Sequence, residues 1–127
     1  MTSNVLGGSG LSSSAAYEVA VGTIMNRFFC GEALTPVEVA QIGQYAENVY
    51  FGKPCGLLDQ TASSVGSITA VDFADTEKPV VTKVEYAMKD SGYALCIIDT
   101  GGDHKERTGA YAAIPAEMKG VAKEMGK

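Results

Sequence analysis

Residues 6–16 have the sequence LGGSGLSSSAA, in which three glycines and four serines precede a segment with helical apolar periodicity. Glycines let a backbone curl so that several N–H groups point into one space. A helix that begins at the serines would direct its positive dipole end and its unpaired N–H groups into the same space. The stretch therefore predicts a cradle for phosphate groups, built from backbone N–H groups and serine hydroxyls.

This loop differs from the commoner glycine-rich motifs. A Walker loop needs Gly-Lys-Ser/Thr, and residues 6–16 contain no lysine. The dinucleotide fingerprint needs a glycine where Ser13 stands, and a nucleophile elbow needs one where Ser14 stands. The alternative interpretation is a flexible loop followed by a serine-capped helix, because glycine-serine stretches also occur in linkers.

The segments after the loop predict two helices. Apolar residues spaced three and four apart predict a helix from Ser12 to Cys30, capped by Ser12 and stopped at Gly31. A second helix is expected to begin at Thr35, where Glu38 completes a capping box. The expected buried stripe of this second helix consists of Val39, Ile42, Ala46, Val49 and Tyr50.

The rest of the chain predicts a short helix, three strands and a last helix. The short helix is expected at about residues 57–65, and the last at residues 111–125, started or interrupted by Pro115. Runs rich in β-forming residues predict strands at residues 67–73, 79–86 and 93–99. Helices followed by strands and then a helix are typical of an α+β domain.

Composition narrows the functions that fit the chain. Its 127 residues are enough for one domain, and a hydrophobic content of 46% predicts a folded protein. The net charge of −5 argues against a general binder of nucleic acid or anionic membrane, but not against a nucleotide site. Three cysteines without a CxxC pair, no signal peptide and no membrane-length apolar run predict a reduced, cytoplasmic protein.

The loop lies very near the start of the chain. Only six residues precede Gly7, whereas such loops usually follow a strand that holds them in place. We therefore expect the chain to be a piece of a longer protein.

Two motifs resemble a known family. Residues 7–16 are similar to the second signature of the GHMP kinases, the loop that wraps the ATP phosphates in these small-molecule kinases. Residues 52–60, GKPCGLLDQ, resemble the galactokinase branch of that family, and weaker similarity continues through residues 99–104 and Tyr111. The resemblance implies a GHMP-kinase-like fold (ribosomal protein S5 domain 2-like), incomplete at both ends. Residues 1–127 would be its central part, mostly the N-terminal ATP-binding domain.

The resemblance also implies roles for individual residues. The implied ligands of the ATP phosphates are Gly7, Gly8, Ser9, Gly10, Leu11, Ser12, Ser13 and Ser14. Magnesium would be held by Ser13 and Glu47, and Asp59 would be the catalytic base. The implied contacts to galactose are Cys55, Gly56, Asp59 and Tyr111.

Each of these residues also has a plain structural interpretation. Glu47 taken alone is a solvated helix residue, and Asp59 is a cap of the short helix near it. Cys55 is a small buried hydrophobic residue, and Tyr111 is an aromatic of the core or its rim. His104 is a loop residue. The motif context favours the functional interpretation over these.

The expected function is the ATP-dependent phosphorylation of the C1 hydroxyl of galactose, with ATP, Mg2+ and galactose as ligands. A kinase for N-acetylgalactosamine or a related sugar, or a non-catalytic protein that binds sugar and nucleotide, would carry the same motifs. Neither nucleic acid nor membrane is an expected partner, and self-association of the chain is left open. The first and third family signatures are absent from the sequence, so the isolated chain is expected to be inactive.

Overall fold

The computed structural model describes residues 2–5, 7–98 and 108–126. These residues contain four α-helices and two strands: α1 Ser13–Phe29, α2 Pro36–Tyr45, α3 Leu58–Val65, β1 Ile68–Asp72, β2 Val80–Val84 and α4 Thr108–Glu124. A π-helix, Ala46–Tyr50, follows α2 directly, and a short 3-10 helix spans Met88–Asp90. Helices that accompany a small sheet confirm the α+β class.

Helix α1 begins where the sequence predicts it, but not through the expected cap. Ser12 is the N-cap residue, and its carbonyl accepts from Ala16 N at 3.0 Å. Its backbone is left-handed, with φ 55°, and its side chain makes no capping hydrogen bond. The first turn of α1 therefore lacks a side-chain cap. At the other end, Gly31 with φ 60° follows the helix as the predicted stop.

Helix α2 begins with the predicted capping box. Glu38 N donates to Thr35 Oγ1 at 3.3 Å, and Thr35 N donates to Glu38 Oε2 at 2.7 Å. Pro36 occupies the first helical position, where its missing N–H is not needed. The coil then widens into the π-helix, in which Phe51 N reaches Ala46 O at 3.3 Å. Such π-helical turns inside helices are frequent at functional sites.

The buried face of this segment is only partly the predicted one, and of the predicted stripe Val39 is buried. Its buried residues are Val39, Ala40, Gly43 and Glu47. The prediction was wrong for Ile42, Val49 and Tyr50, whose side chains are 52%, 56% and 81% exposed. The helix instead turns its small residues towards α1 and α3. At Gly43, a Cβ atom would lie 3.3 Å from Glu18 Cβ, so a larger residue would not fit this close contact.

The sheet has two antiparallel strands. Ile68 of β1 pairs with Val84 of β2, and Asp72 pairs with Val80. The third predicted strand is wrong over its described part, because residues 93–98 form no strand and do not pair with β1 or β2 there. A strand needs a hydrogen-bonding partner, which the sequence pattern alone cannot supply. Residue 99 and the 101–104 loop lie outside the described residues.

The last helix is longer than predicted. It begins at Thr108 instead of Tyr111 and continues through Pro115. None of the helices among the described residues is long and apolar enough to cross a membrane.

A small core joins α1, α2 and α3, and α3 also contacts β1. Its buried apolar residues are Ala15, Val19, Val39, Ala40 and Leu57. The approach of α1 and α2 is close at Gly22, where a Cβ atom would lie 3.0 Å from Val39 Cγ1. Many large side chains on the outer faces stay exposed, including Phe28 at 75% and Phe51 at 78%.

Candidate functional site

The glycine-serine loop turns left-handed at every second residue before α1. The φ angles are 79° at Gly8, 75° at Gly10 and 55° at Ser12. Alternation of this kind curls a backbone so that its N–H groups face a common concavity, which suits an anion. The first turn of α1 carries no acidic residue and no side-chain cap, so its N–H groups remain directed at the loop.

A buried carboxylate lies beside this loop. Glu47 is only 3% exposed, so the interpretation as a solvated helix residue is wrong. Its Oε1 accepts from Lys53 Nζ at 2.6 Å, and its Oε2 accepts from Gln60 Nε2 at 3.0 Å. The Ser14 hydroxyl and the Cys55 thiol also lie within hydrogen-bonding reach of the carboxylate. The serine end of the loop and the start of the π-helix therefore meet at Glu47.

The surroundings keep Glu47 ionised. Burial by itself would raise the pKa of this carboxyl, because a charge loses its hydration there. Hydrogen bonds from Lys53, Cys55 and Ser14 outweigh that effect and hold the pKa below its usual value. The group is therefore a carboxylate near neutral pH. Its contribution to stability is present above its unfolded-state pKa and is lost as the pH falls through the lowered folded-state value.

Gln60 links this carboxylate to a second one. Its Nε2 donates to Glu47 Oε2 and to Glu18 Oε2, the latter at 3.2 Å. Gln60 is 1% exposed, and its Oε1 atom has no hydrogen-bond partner. Burial raises the pKa of Glu18, and the charge of Glu47 adds to this despite the hydrogen bond from Gln60. Since Glu18 lies four residues after Ser14 on α1, their shared helix face was the signal that could have located it.

The turn that carries the second motif is fastened to the π-helix. Cys55 N donates to Asn48 Oδ1 at 2.7 Å, and Asn48 Nδ2 donates back to Cys55 O at 3.3 Å. Gln44 Nε2 donates to the same carbonyl at 3.2 Å. These bonds hold Cys55 against the segment that carries Glu47.

The Cys55 thiol is strongly disfavoured from ionising. Burial raises its pKa to about 12, with the neighbouring Glu47 carboxylate as the next cause. A thiol, and not a thiolate, therefore faces Glu47 at neutral pH. This fits a hydrogen-bond donor and excludes a nucleophilic role for Cys55 in this state.

We expect Cys55 to resist alkylation in the folded chain. At pH 8, iodoacetamide should label exposed Cys30 and Cys96 at least about a hundredfold faster, because only the thiolate reacts. Peptide mass spectrometry over a time course measures the three rates. The same chain in urea, where all three cysteines should react alike, is the control. Equal rates in the folded chain would contradict the buried thiol.

The structure brings only some of the expected site residues together. Ser14, the second residue of α1, is the serine whose side chain lowers the pKa of Glu47. Asp59 is exposed in the first turn of α3, whose N-cap is Leu57 without a side-chain capping bond, so Asp59 is not the cap of that helix. We call Glu47, Lys53, Gln60 and Glu18, which these hydrogen bonds join, the Glu47 cluster. The described hydrogen bonds do not join Asp59 to it.

The described part of the structure joins neither of two further expected residues to that cluster. Gly56 is exposed. Tyr111 lies in α4, and its side chain is outside the described part of the structure. Sequence reasoning assigned no role to Glu18, Lys53 or Gln60, although the last two stand inside the second motif.

The donors present suit a magnesium ion only as a partial set. Within the described ranges, no group of three or more histidine, cysteine and acidic side chains could hold a metal. Glu47 and the serine hydroxyls at the start of α1 supply hard oxygen donors, which Mg2+ prefers, and it commonly takes its other ligands from phosphates and water. The residues therefore fit a metal that arrives with a nucleotide.

Comparison with known families identifies the class of protein. A model of the GHMP kinases N terminal domain matches residues 1–67, which is more than half of the chain. The chain belongs to the GHMP kinase family.

Its curated relatives include galactokinases. The chain is 36% identical over 127 residues to that of Actinobacillus pleuropneumoniae serotype 3 and 36% identical over 111 residues to that of Streptomyces coelicolor. It is 31% identical over 128 residues to that of Thermotoga petrophila. These matches cover 99%, 87% and 100% of the chain, but 32%, 28% and 35% of the relatives. The chain thus spans about a third of their length. No solved structure matched it.

Proposed function

We propose that the chain is the central part of a galactokinase, mostly its N-terminal ATP-binding domain. The full-length protein, meaning the longer chain that we propose contains these residues, transfers the γ-phosphoryl group of ATP to the C1 hydroxyl of galactose. The observation that carries this proposal is the left-handed glycine-serine loop at the uncapped start of α1, beside the buried Glu47 carboxylate whose pKa the Ser14 side chain helps to lower. A ribosomal protein S5 domain 2-like arrangement is part of the same proposal.

In this proposal, residues 7–14 hold the ATP phosphates through backbone N–H groups and serine hydroxyls. Glu47 and a serine hydroxyl, from Ser13 or Ser14, hold the magnesium ion. When bound, Mg2+ neutralises the charge that develops on the transferred phosphoryl group. The protein residues position the nucleotide and exclude water from Glu47, whose side chain is 4% exposed.

Asp59 is the proposed base for the sugar hydroxyl. It is exposed, so a substrate can reach its carboxylate, and it is adjacent in sequence to Gln60 of the Glu47 cluster. A carboxylate near the attacking hydroxyl takes the proton as the oxygen attacks phosphorus. Cys55, Gly56 and Tyr111 are the proposed sugar contacts. The Cys55 thiol, held neutral by burial and by Glu47, suits a donor role.

The outer faces of the described residues support a longer protein. Leu95, Ile97 and Ile98 are 76%, 67% and 82% exposed, and Phe28 and Phe51 are exposed to a similar degree. Large apolar side chains that are exposed close together in the sequence, as at residues 95–98, are typical of surfaces that meet another protein surface. We propose that the remaining parts of the kinase cover these side chains, and that the protein acts in the cytoplasm.

A phosphorylation assay tests this function. The full-length protein should convert galactose to galactose 1-phosphate with ATP and Mg2+, and the 127-residue chain alone should show no turnover. Loss of positioning groups of this kind costs several orders of magnitude in rate. Product is measured as radiolabelled sugar phosphate, with N-acetylgalactosamine and glucose as competing acceptors.

Each other outcome selects a different interpretation. Faster turnover of N-acetylgalactosamine than of galactose would identify N-acetylgalactosamine as the substrate. Binding of sugar and nucleotide by the full-length protein without any turnover would identify a binding protein. Robust turnover by the isolated chain would contradict the proposal that it is only a part of the catalytic unit.

A further inference from the structure

The buried carboxylate already has a cation. Lys53 Nζ lies 2.6 Å from Glu47 Oε1, and the backbone N of the same lysine donates to Glu47 O at 3.1 Å. The backbone contact sets the lysine directly over the carboxylate. The other carboxylate oxygen, Oε2, is taken by Gln60. Oε1 is therefore the oxygen that faces a cation, and Oε2 is the one that orients the group.

The two partners differ greatly in exposure. The side chain of Glu47 is 4% exposed, whereas that of Lys53 is 51% exposed. The carboxylate is thus a fixed part of the core, held by Gln60 and approached by Ser14. The ammonium stands on a flexible four-carbon stem at the surface, so it can leave without disturbing buried groups.

The same lysine can supply a positive charge that the glycine-serine loop lacks. The phosphate loop at residues 6–16 contains no lysine or arginine, and its first helical turn contains neither. The Lys53 ammonium is paired with the Glu47 carboxylate, and the Ser14 side chain of that turn also lowers the pKa of this carboxyl, so both groups belong to the surroundings of the proposed phosphate cradle. The chain therefore supplies from the second motif the cation that a Walker loop carries within itself.

We propose that Lys53 is the resident counter-ion of Glu47, that magnesium displaces it, and that the released ammonium binds the polyphosphate of the nucleotide. This inference rests on the proposed function. In this proposal, Lys53 competes with Mg2+ for Glu47 and strengthens the binding of the nucleotide at the loop. The two effects of its removal should therefore have opposite signs, which a purely structural lysine would not produce.

The test is calorimetric titration of the full-length protein with AMP-PNP. In Lys53→Gln, binding without metal, in the presence of EDTA, should weaken roughly fivefold, because a charge-assisted contact to phosphate is lost. The Mg2+ concentration at the midpoint of metal-dependent binding should fall roughly fivefold, which is the scale of a partly exposed ion pair. Lys83→Gln removes the same charge from exposed β2 and should change neither value.

A second variant protects the test against misfolding. Lys53→Arg keeps the charge, and its planar guanidinium holds a carboxylate with two hydrogen bonds. It should leave metal-free binding close to that of the wild type and raise the Mg2+ midpoint. Thermal melting of every variant confirms that it is folded.

The outcomes separate the two proposals. Suppose that the wild type binds AMP-PNP, and that Lys53→Gln and Lys83→Gln both have the Mg2+ midpoint and the metal-free affinity of the wild type. The inference about Lys53 is then overturned, and the proposed function stands. If Lys53→Gln weakens both the metal-free binding of AMP-PNP and the binding of Mg2+, the lysine has only a structural role. If the wild type binds no AMP-PNP with or without Mg2+, the proposed function fails and the inference falls with it.

Discussion

Replacement of Gly10 by valine in the full-length protein should weaken the binding of an ATP analogue by about a hundredfold or more. Gly10 has φ 75°, a left-handed conformation that a β-branched residue rarely adopts. Valine would force the loop out of its alternating curl and would fill the space where phosphates approach its N–H groups. Calorimetric titration at saturating Mg2+ measures the effect, and galactose binding should change little.

A matched control separates backbone strain from loss of the site. Gly31 also has a left-handed φ, 60°, lies at the opposite end of α1, and has open space around the position of a Cβ atom. Gly31→Val should therefore strain the chain similarly and leave nucleotide binding unchanged. If folded Gly10→Val binds the analogue like the wild type, the glycine-serine stretch is not the phosphate loop, and the kinase proposal loses its main support.

Turnover of the full-length protein should fall about a thousandfold in Asp59→Asn, with nucleotide binding nearly unchanged. Asparagine keeps the size of the side chain but cannot accept the proton of the sugar hydroxyl. Because Asp59 is exposed and makes no capping bond at α3, the substitution removes no described contact of the core. Rates of galactose 1-phosphate formation and titration with AMP-PNP measure the two quantities.

Asp90→Asn provides the control, since it makes the same change of charge in the exposed 3-10 helix, away from the site. Its turnover should equal that of the wild type. A nearly normal rate in Asp59→Asn would show that Asp59 contributes only its charge at the first turn of α3, where the expected effect on stability is about 0.3–1 kcal/mol.

The elements that the sequence predicted correctly depend on short-range interactions. The capping box of Thr35 and Glu38 joins residues three apart, and the left-handed stop at Gly31 is a property of one residue. Strands β1 and β2 are joined by a short connection, so their pairing is also nearly local. Such contacts are encoded in a few consecutive residues, which is why patterns and turn residues suffice.

The elements that it predicted wrongly depend on distant partners. Ile42, Val49 and Tyr50 follow a helical apolar stripe, yet the segment buries its small residues because these allow α1 and α3 to approach closely. Residues 93–98 have a strand-like pattern but no strand to pair with in the described structure. Periodicity identifies an amphipathic element, but it does not determine which face meets a neighbour.

The candidate site divides in the same way. The sequence alone predicted a phosphate cradle at residues 6–16, and together with the second motif at residues 52–60 it was sufficient to determine the family. Only the tertiary structure decided that the amide of Gln60 joins Glu47 to Glu18, which is 42 residues away from Gln60, and that Lys53 forms an ion pair with Glu47. These contacts arise where three helices pack together. The burial that strengthens the hydrogen bonds and the ion pair of Glu47 exists only after that packing.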